Sequence, residues 1–263
     1  MSDSTLSSSW LEHVPPTLFG AVMGITGLGL AWRKANEVLG LPEWPSTFFL
    51  VIGGIVFTAT TILYMIKSIR HPDAVRSDTY HPVKSNFFSA FSIAFMLQAI
   101  AILPFNPQWA EIVFFLATAV NISFTAMAVS WWMSRPFKIE MIDPTWIIPG
   151  VSSWIVAVAV GPLGYIDIGW FFFSIGMVFW TFLMTLIFYR LVFLEKLPRP
   201  LYSMMFILMV PPALSSLAFQ DLIGGEIAVF TRVMHSFSLF LILMMILKIR
   251  VFLSLPFNQL AWS

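Results

Sequence analysis

Long uncharged stretches alternate with short polar ones along this chain. The rhythm predicts eight apolar helices, over residues 16-33, 46-66, 87-104, 109-133, 144-160, 168-193, 201-219 and 227-247. A helix needs about 17 to 25 mostly apolar residues to cross roughly 30 Å of hydrocarbon, and each of these segments fits or approaches that length. The first is the most unusual. PTLFGAVMGITGLGLAW has no charge but holds Gly20, Gly24, Gly27 and Gly29. Each glycine weakens a helix by about 1 kcal/mol relative to alanine, so their presence calls for a reason. Either neighbouring helices approach closely at these positions, or the glycines leave room beside a lumen. The segment alone leaves both readings open.

The connections are as informative as the helices. Gly40 and Pro42, the NPQ at 106-108, the GPLGYID from Gly161 and the QDLIGGE from Gln220 are tight turns that send consecutive helices back antiparallel. The chain thus reads as helical hairpins beginning near residues 17, 87, 144 and 201, a repeat of roughly 50 to 70 residues. Of the 14 lysines and arginines, all but Arg33, Lys34 and Arg232 fall in the connections of one side. The positive-inside rule makes that side, and with it the N-terminus, cytoplasmic. The Ser-rich start has no basic residue ahead of the first helix and does not resemble a cleaved signal peptide.

Odd and even helices differ in character. The first, fifth and seventh carry most of the Gly, Pro and Ser, and the third opens on Ser89, Ala90, Ser92 and Ala94. The fourth, sixth and eighth are dominated by large apolar residues, while Gly53 and Gly54 in the second blur the rule. Proline and glycine at membrane depth belong where other groups satisfy the backbone, so odd helices are expected inside and even ones against lipid. The inner layer either rings a continuous pathway or packs solid. For a pathway, the expected lining is Gly20, Gly24, Gly27, Ser92, Pro149, Gly150, Ser153, Pro211, Pro212 and Ser215, with Lys84, Arg135, Lys138 and Arg199 at the cytoplasmic mouth.

No Asp, Glu, Lys or Arg lies mid-way along an odd helix, whereas proton relays and cation routes are usually built on such groups. A neutral lumen of serine hydroxyls, glycine backbone and aromatic faces suits weak binding of an anion at each step. Helices broken at Pro149-Gly150 and Pro211-Pro212 would add backbone amides and positive helix ends. The alternative is that these prolines only kink helices for packing. Gln98, Asn121 and His235 read as hydrogen-bonding residues between helices, and Glu111 and Arg232 lie near the outer ends of theirs.

Composition fixes the class. With 59% hydrophobic and 10% charged residues and a mean hydropathy of +0.87, the chain reads as a single all-α transmembrane domain over residues 1-263, bathed in membrane lipids. A net charge of +1 argues against nucleic acid as a partner. Cysteine is absent, which removes disulfides, thiolate metal sites and thiol nucleophiles. With no HExxH, GxSxG or glycine-rich phosphate loop, the chain is expected to be no enzyme and to hold neither metal nor cofactor.

Five stretches carry a family resemblance: FGAVMGITGLGLAW from Phe19, HPVKSNFFSAFSIA from His81, IIPG from Ile147, MVPPALSSLAF from Met209, and LPFNQLAWS from Leu255. In order and over nearly the whole chain, they are similar to the tellurite-resistance/dicarboxylate transporter family, which includes TehA-like proteins and the slow-type anion channels of plant guard cells. The resemblance implies helical hairpins around a pseudo-five-fold central pore lined by odd-numbered helices, eight spans of an expected ten, and a homotrimer. It also implies a bacterial inner (plasma) membrane location and a gating phenylalanine beyond Ser263, distinct from Phe257. The expected function is an anion channel passing small inorganic or organic anions. The alternative is a coupled carrier or exporter of C4-dicarboxylates, tellurite-related or other small substrates, for which a titrating group on the inner helices is needed. A structural scaffold is a third class, and it has no use for small, kinked residues on one layer only.

Overall fold

The computed structural model describes residues 10–134 and 136–255, and every regular element among them is helical. Ten α-helices follow in order: α1 (Leu18–Leu39), α2 (Trp44–Arg70), α3 (Pro72–Tyr80), α4 (Phe88–Ile102), α5 (Pro107–Ser134), α6 (Ile147–Leu163), α7 (Ile166–Phe193), α8 (Val210–Leu222), α9 (Val229–Leu247) and α10 (Ile249–Leu253). Their ends follow local chemistry. Gly40 stops α1 in the left-handed region at φ 68°, its N–H donating to Asn36 O, and Gly164 stops α6 at φ 82°. Prolines open α2, α3 and α8 in the first turn, where a missing N–H leaves no helical bond unmade.

Among the described residues, seven helical segments are long and apolar enough to cross a membrane, against the eight expected. The difference is α1. Its glycines add little apolar surface, and Arg33 and Lys34 lie inside the helix rather than after it. The helices sort into layers. Of the best membrane-length window, 78% is buried in the α6 segment and 67% in the α4 segment, against 17% in α2 and 22% in α5 and α9. Dense packing joins the hairpin pairs α1 with α2, α4 with α5, α6 with α7 and α8 with α9. A second set runs α1 to α4 to α6 to α8, so these four form a curved inner row. No comparable packing joins α8 to α1 among the described residues.

The row is held by close approaches. Trp154 of α6 is fully buried and donates from Nε1 to Phe173 O at 3.0 Å. Its indole lies over Gly176 of α7, where a Cβ would come within 2.4 Å of Nε1. A glycine in the middle of the Phe-rich α7 is thereby explained.

The seventh expected span is two pieces, a 3-10 helix over Arg199–Met209 followed by α8. Runs of 3-10 beyond three or four residues are uncommon. The proline pair accounts for its end: Pro211 has no N–H to offer Ile207 O, which takes the N–H of Val210 instead. Pro212 likewise cannot serve Met209 O, which accepts from Ser238 Oγ of α9 at 3.0 Å. The expected break is therefore found in the seventh span, at the joint beside Pro211 and Pro212, and is corrected for Pro149, beyond which α6 runs on unbroken. Pro149 sits in the first turn of α6, after a short 3-10 turn over Pro144–Trp146, and Pro211 and Pro212 sit in the first turn of α8. They begin helices, because only interior proline removes a bond that the helix would make.

Candidate functional site

Between the helices of the inner row lies a partly open cavity of about 290 Å³. Its wall comes from Gly24 and Gly27 of α1, Ile93 and Leu97 of α4, the N-terminal half of α6, and Ile207 to Leu214 at the joint between the 3-10 helix and α8. Gly27 faces open space, since a Cβ built on it meets nothing within 4 Å. The wall is nearly all aliphatic. Among the described residues that line it, Ser152 alone has a hydroxyl, and none is ionisable. A wider groove of about 860 Å³ lies between α2, α4 and α5, and its rim of exposed Val51, Ile55 and Ile62 turns outward.

Of the residues singled out in the sequence, the structure brings Gly24, Gly27 and Pro211 together on this wall. The others pack between helices. Gly20 and Pro212 are buried. Gly150 faces α7, where a Cβ would approach Phe179 Cβ to 2.8 Å. Ser215 is fully buried and donates to Pro212 O at 3.0 Å. Ser153 is fully buried, and its hydroxyl has no hydrogen-bond partner.

Ser92 and Pro149 belong to a polar seam where α4, α5 and α6 meet. Ser92 donates to Ser89 O at 2.7 Å and accepts from Asn121 Nδ2 at 3.0 Å. Thr125 and Ser152 both donate to Pro149 O, at 3.3 and 2.7 Å, and their hydroxyls lie 3.4 Å apart. Asn121 and Thr125 come from an outer helix and turn inward, which the odd-even rule does not anticipate. On α4, Gln98 reaches α1 through Thr26 Oγ1 at 3.2 Å.

The expected mouth residues part company. Lys84 is held 2.8 Å from Asp78 Oδ1, while Lys67 of α2 lies 2.5 Å from Oδ2 of the same carboxylate. Lys67 is 1% exposed and also donates to Val14 O at 2.7 Å, so this cluster clamps the N-terminal segment, α2, α3 and the start of α4 together. Nothing in the charge pattern separates Lys67 from the surface lysines around it. Lys138 and Arg199 are exposed, and Arg135 lies outside the described residues. Nearby, Asp143 accepts from Thr145 N and Oγ1 at 2.7 and 2.6 Å, and Asn86 donates to the same hydroxyl, which ties the start of α4 to that of α6. Burial pushes the Asp143 carboxyl above the usual range, against the pull of those hydrogen bonds.

The cavity lies inside a row of apolar helices, and comparison with known proteins shows the family to which such a chain belongs. Residues 13–263 match the family SLAC1, voltage-dependent anion channel. The chain belongs to this family. The S-type anion channel SLAH3 of Arabidopsis thaliana is 24% identical over 264 residues, covering 97% of this chain and 41% of the relative. A tellurite resistance protein TehA homolog of Haemophilus influenzae is 24% identical over 238 residues, or 90% of this chain and 72% of the relative. The guard cell S-type anion channel SLAC1 of Arabidopsis thaliana is 23% identical over 97% of this chain and 48% of its own. This member of the voltage-dependent anion channel family thus spans about half or less of the plant relatives named. Its sequence similarity runs through all four helices of the inner row.

Proposed function

We propose that this chain conducts small inorganic or organic anions across a membrane, along the cavity between α1, α4, α6 and α8. The observation that carries the reading is the location of the cavity. It lies in the inner row of a chain that matches an anion channel family from residue 13 to residue 263, and its wall holds no ionisable side chain. Without a fixed charge, each step of an anion's passage binds weakly, and weak binding is what throughput needs. A coupled carrier needs a titrating group in the pathway, and the cavity wall offers none. The odd-numbered, pore-lining set is accordingly taken as Gly24, Gly27 and Pro211 with the aliphatic residues around them, in a pseudo-five-fold arrangement of helical hairpins within a homotrimer. The distribution of basic residues among the connections supports a cytoplasmic N-terminus.

The test is ion-replacement current recording on the purified protein in planar bilayers. Under a salt gradient the reversal potential should follow the anion. Reversal at the cation potential, or flux that appears only with a proton gradient, would overturn the channel reading.

A further inference from the structure

Among the described residues that line the cavity, Ser152 is the only one with a side-chain hydrogen-bond donor. An anion entering such a space leaves its hydration shell, and an ion without hydrogen bonds in apolar surroundings is costly. At present the Ser152 hydroxyl donates to Pro149 O at 2.7 Å. That carbonyl has a second donor, Thr125 Oγ1 at 3.3 Å, from the neighbouring helix α5. A serine hydroxyl moves between staggered rotamers about a single bond. When Ser152 turns toward the cavity, Pro149 O keeps the Thr125 hydroxyl, so no buried acceptor is stranded and the change is cheap.

Resting on the reading that anions cross this cavity, we propose that Ser152 is the hydrogen-bond donor that sets anion preference there. Thr125 is the positioning residue that releases it. Chloride, small and strongly hydrated, depends on such a donor far more than thiocyanate does. The hydroxyl therefore raises chloride permeability relative to thiocyanate.

The experiment measures bi-ionic reversal potentials for chloride against thiocyanate in the full chain. Ser152→Ala should lower the chloride to thiocyanate permeability ratio by about tenfold, the scale expected for losing one hydrogen bond to a charged group. Ser152→Thr keeps the hydroxyl and should hold the wild-type ratio. Thr125→Val leaves Ser152 in place but removes its substitute at Pro149 O, and should lower the ratio about threefold. A merely structural role moves current amplitude and thermal stability, not this ratio. If wild type carries anion current and Ser152→Ala keeps the wild-type ratio, the proposal is overturned while the channel reading stands. If Ser152→Ala fails to reach the membrane, an unchanged ratio in Thr125→Val overturns it equally. Absence of anion current in wild type overturns both.

Discussion

The seam and the cavity share α4 and α6, yet they are chemical opposites. On one side of these helices Ser89, Ser92 and Asn121 form one hydrogen-bonded set and Thr125 and Pro149 O another, both nearly solvent-free. On the other, Ile93, Leu97, Val151 and Ile155 face a cavity of about 290 Å³. Most polar groups lie where protein satisfies them, Asn121 Oδ1 and the Ser153 hydroxyl excepted, and apart from Ser152 the open space is left to groups that need no partner. Burying an unpaired amide or hydroxyl costs about 1–3 kcal/mol, which is reason enough for the division. An aliphatic wall with one donor binds an ion weakly, and weak binding is what conduction needs.

The glycines offer the strongest way to break that contrast. Gly27 faces the cavity and Gly176 faces the fully buried Trp154. Replacing Gly27 with Leu puts four carbons into the open space, and anion flux should fall at least about tenfold while the thermal midpoint stays near wild type. Gly176→Ala should do the reverse. Its Cβ would come within 2.4 Å of the Trp154 indole, and overpacking of this kind costs about 1–3 kcal/mol. Flux per folded molecule should be preserved. Flux and thermal unfolding measured on the same samples decide it: a Gly27→Leu protein that conducts normally would mean that the cavity is not on the route.

The seam yields a smaller effect. Ser92→Ala removes the acceptor of Asn121 Nδ2 and strands a fully buried amide whose Oδ1 already lacks a partner. The expected loss is about 0.6–1.7 kcal/mol, the range seen for hydrogen bonds between membrane helices. Adding Asn121→Leu to Ser92→Ala should recover most of it, because an apolar pair of similar size leaves nothing unbonded. Reversible unfolding in detergent reads the cycle. Strictly additive losses would show that the two side chains do not act as a pair.

How far this division was legible depends on what surrounds each helix. The hairpins stood out because charge and turn residues punctuate them, as at Gly40 and Gly164. Gln98 and Asn121 were legible as links between helices, since a lone amide in an apolar run has little else to do. The faces of α4 and α6 were not. These helices are buried on nearly every side, so no polar stripe marks the direction of the cavity, and serine at 92, 153 or 215 gives no sign of which neighbour it meets. Ser152 and Ser153 differ by one residue, and only packing shows that the first reaches the cavity. The Lys67 clamp was hidden for another reason. It joins residues 14, 67, 78 and 84 through chain reversals, and charge pattern alone has no access to those.

The mouth sharpens the cavity half of the comparison with the smallest effect. A cavity wall without ionisable groups makes no contribution to charge selection from a distance, so any salt-dependent attraction of anions belongs to fixed charges outside it. Lys84 and Lys67 share the one carboxylate of Asp78, at 2.8 and 2.5 Å, so this cluster keeps a single net positive charge. Of the expected mouth residues among those described, Lys138 and Arg199 are exposed and are further sources. Changing both to Gln should lower conductance about twofold at 0.01 M salt, where the Debye length is about 30 Å. At physiological salt that length is about 8 Å, and the difference should vanish. Lys84→Met should lower thermal stability, because it dismantles part of the clamp, and should lower conductance at 0.01 M salt by less than the double change does. Reversal potentials should stay the same in all of these variants. A preference for anions that disappears with Lys138 and Arg199 even at high salt would place selection at the mouth and take it away from Ser152.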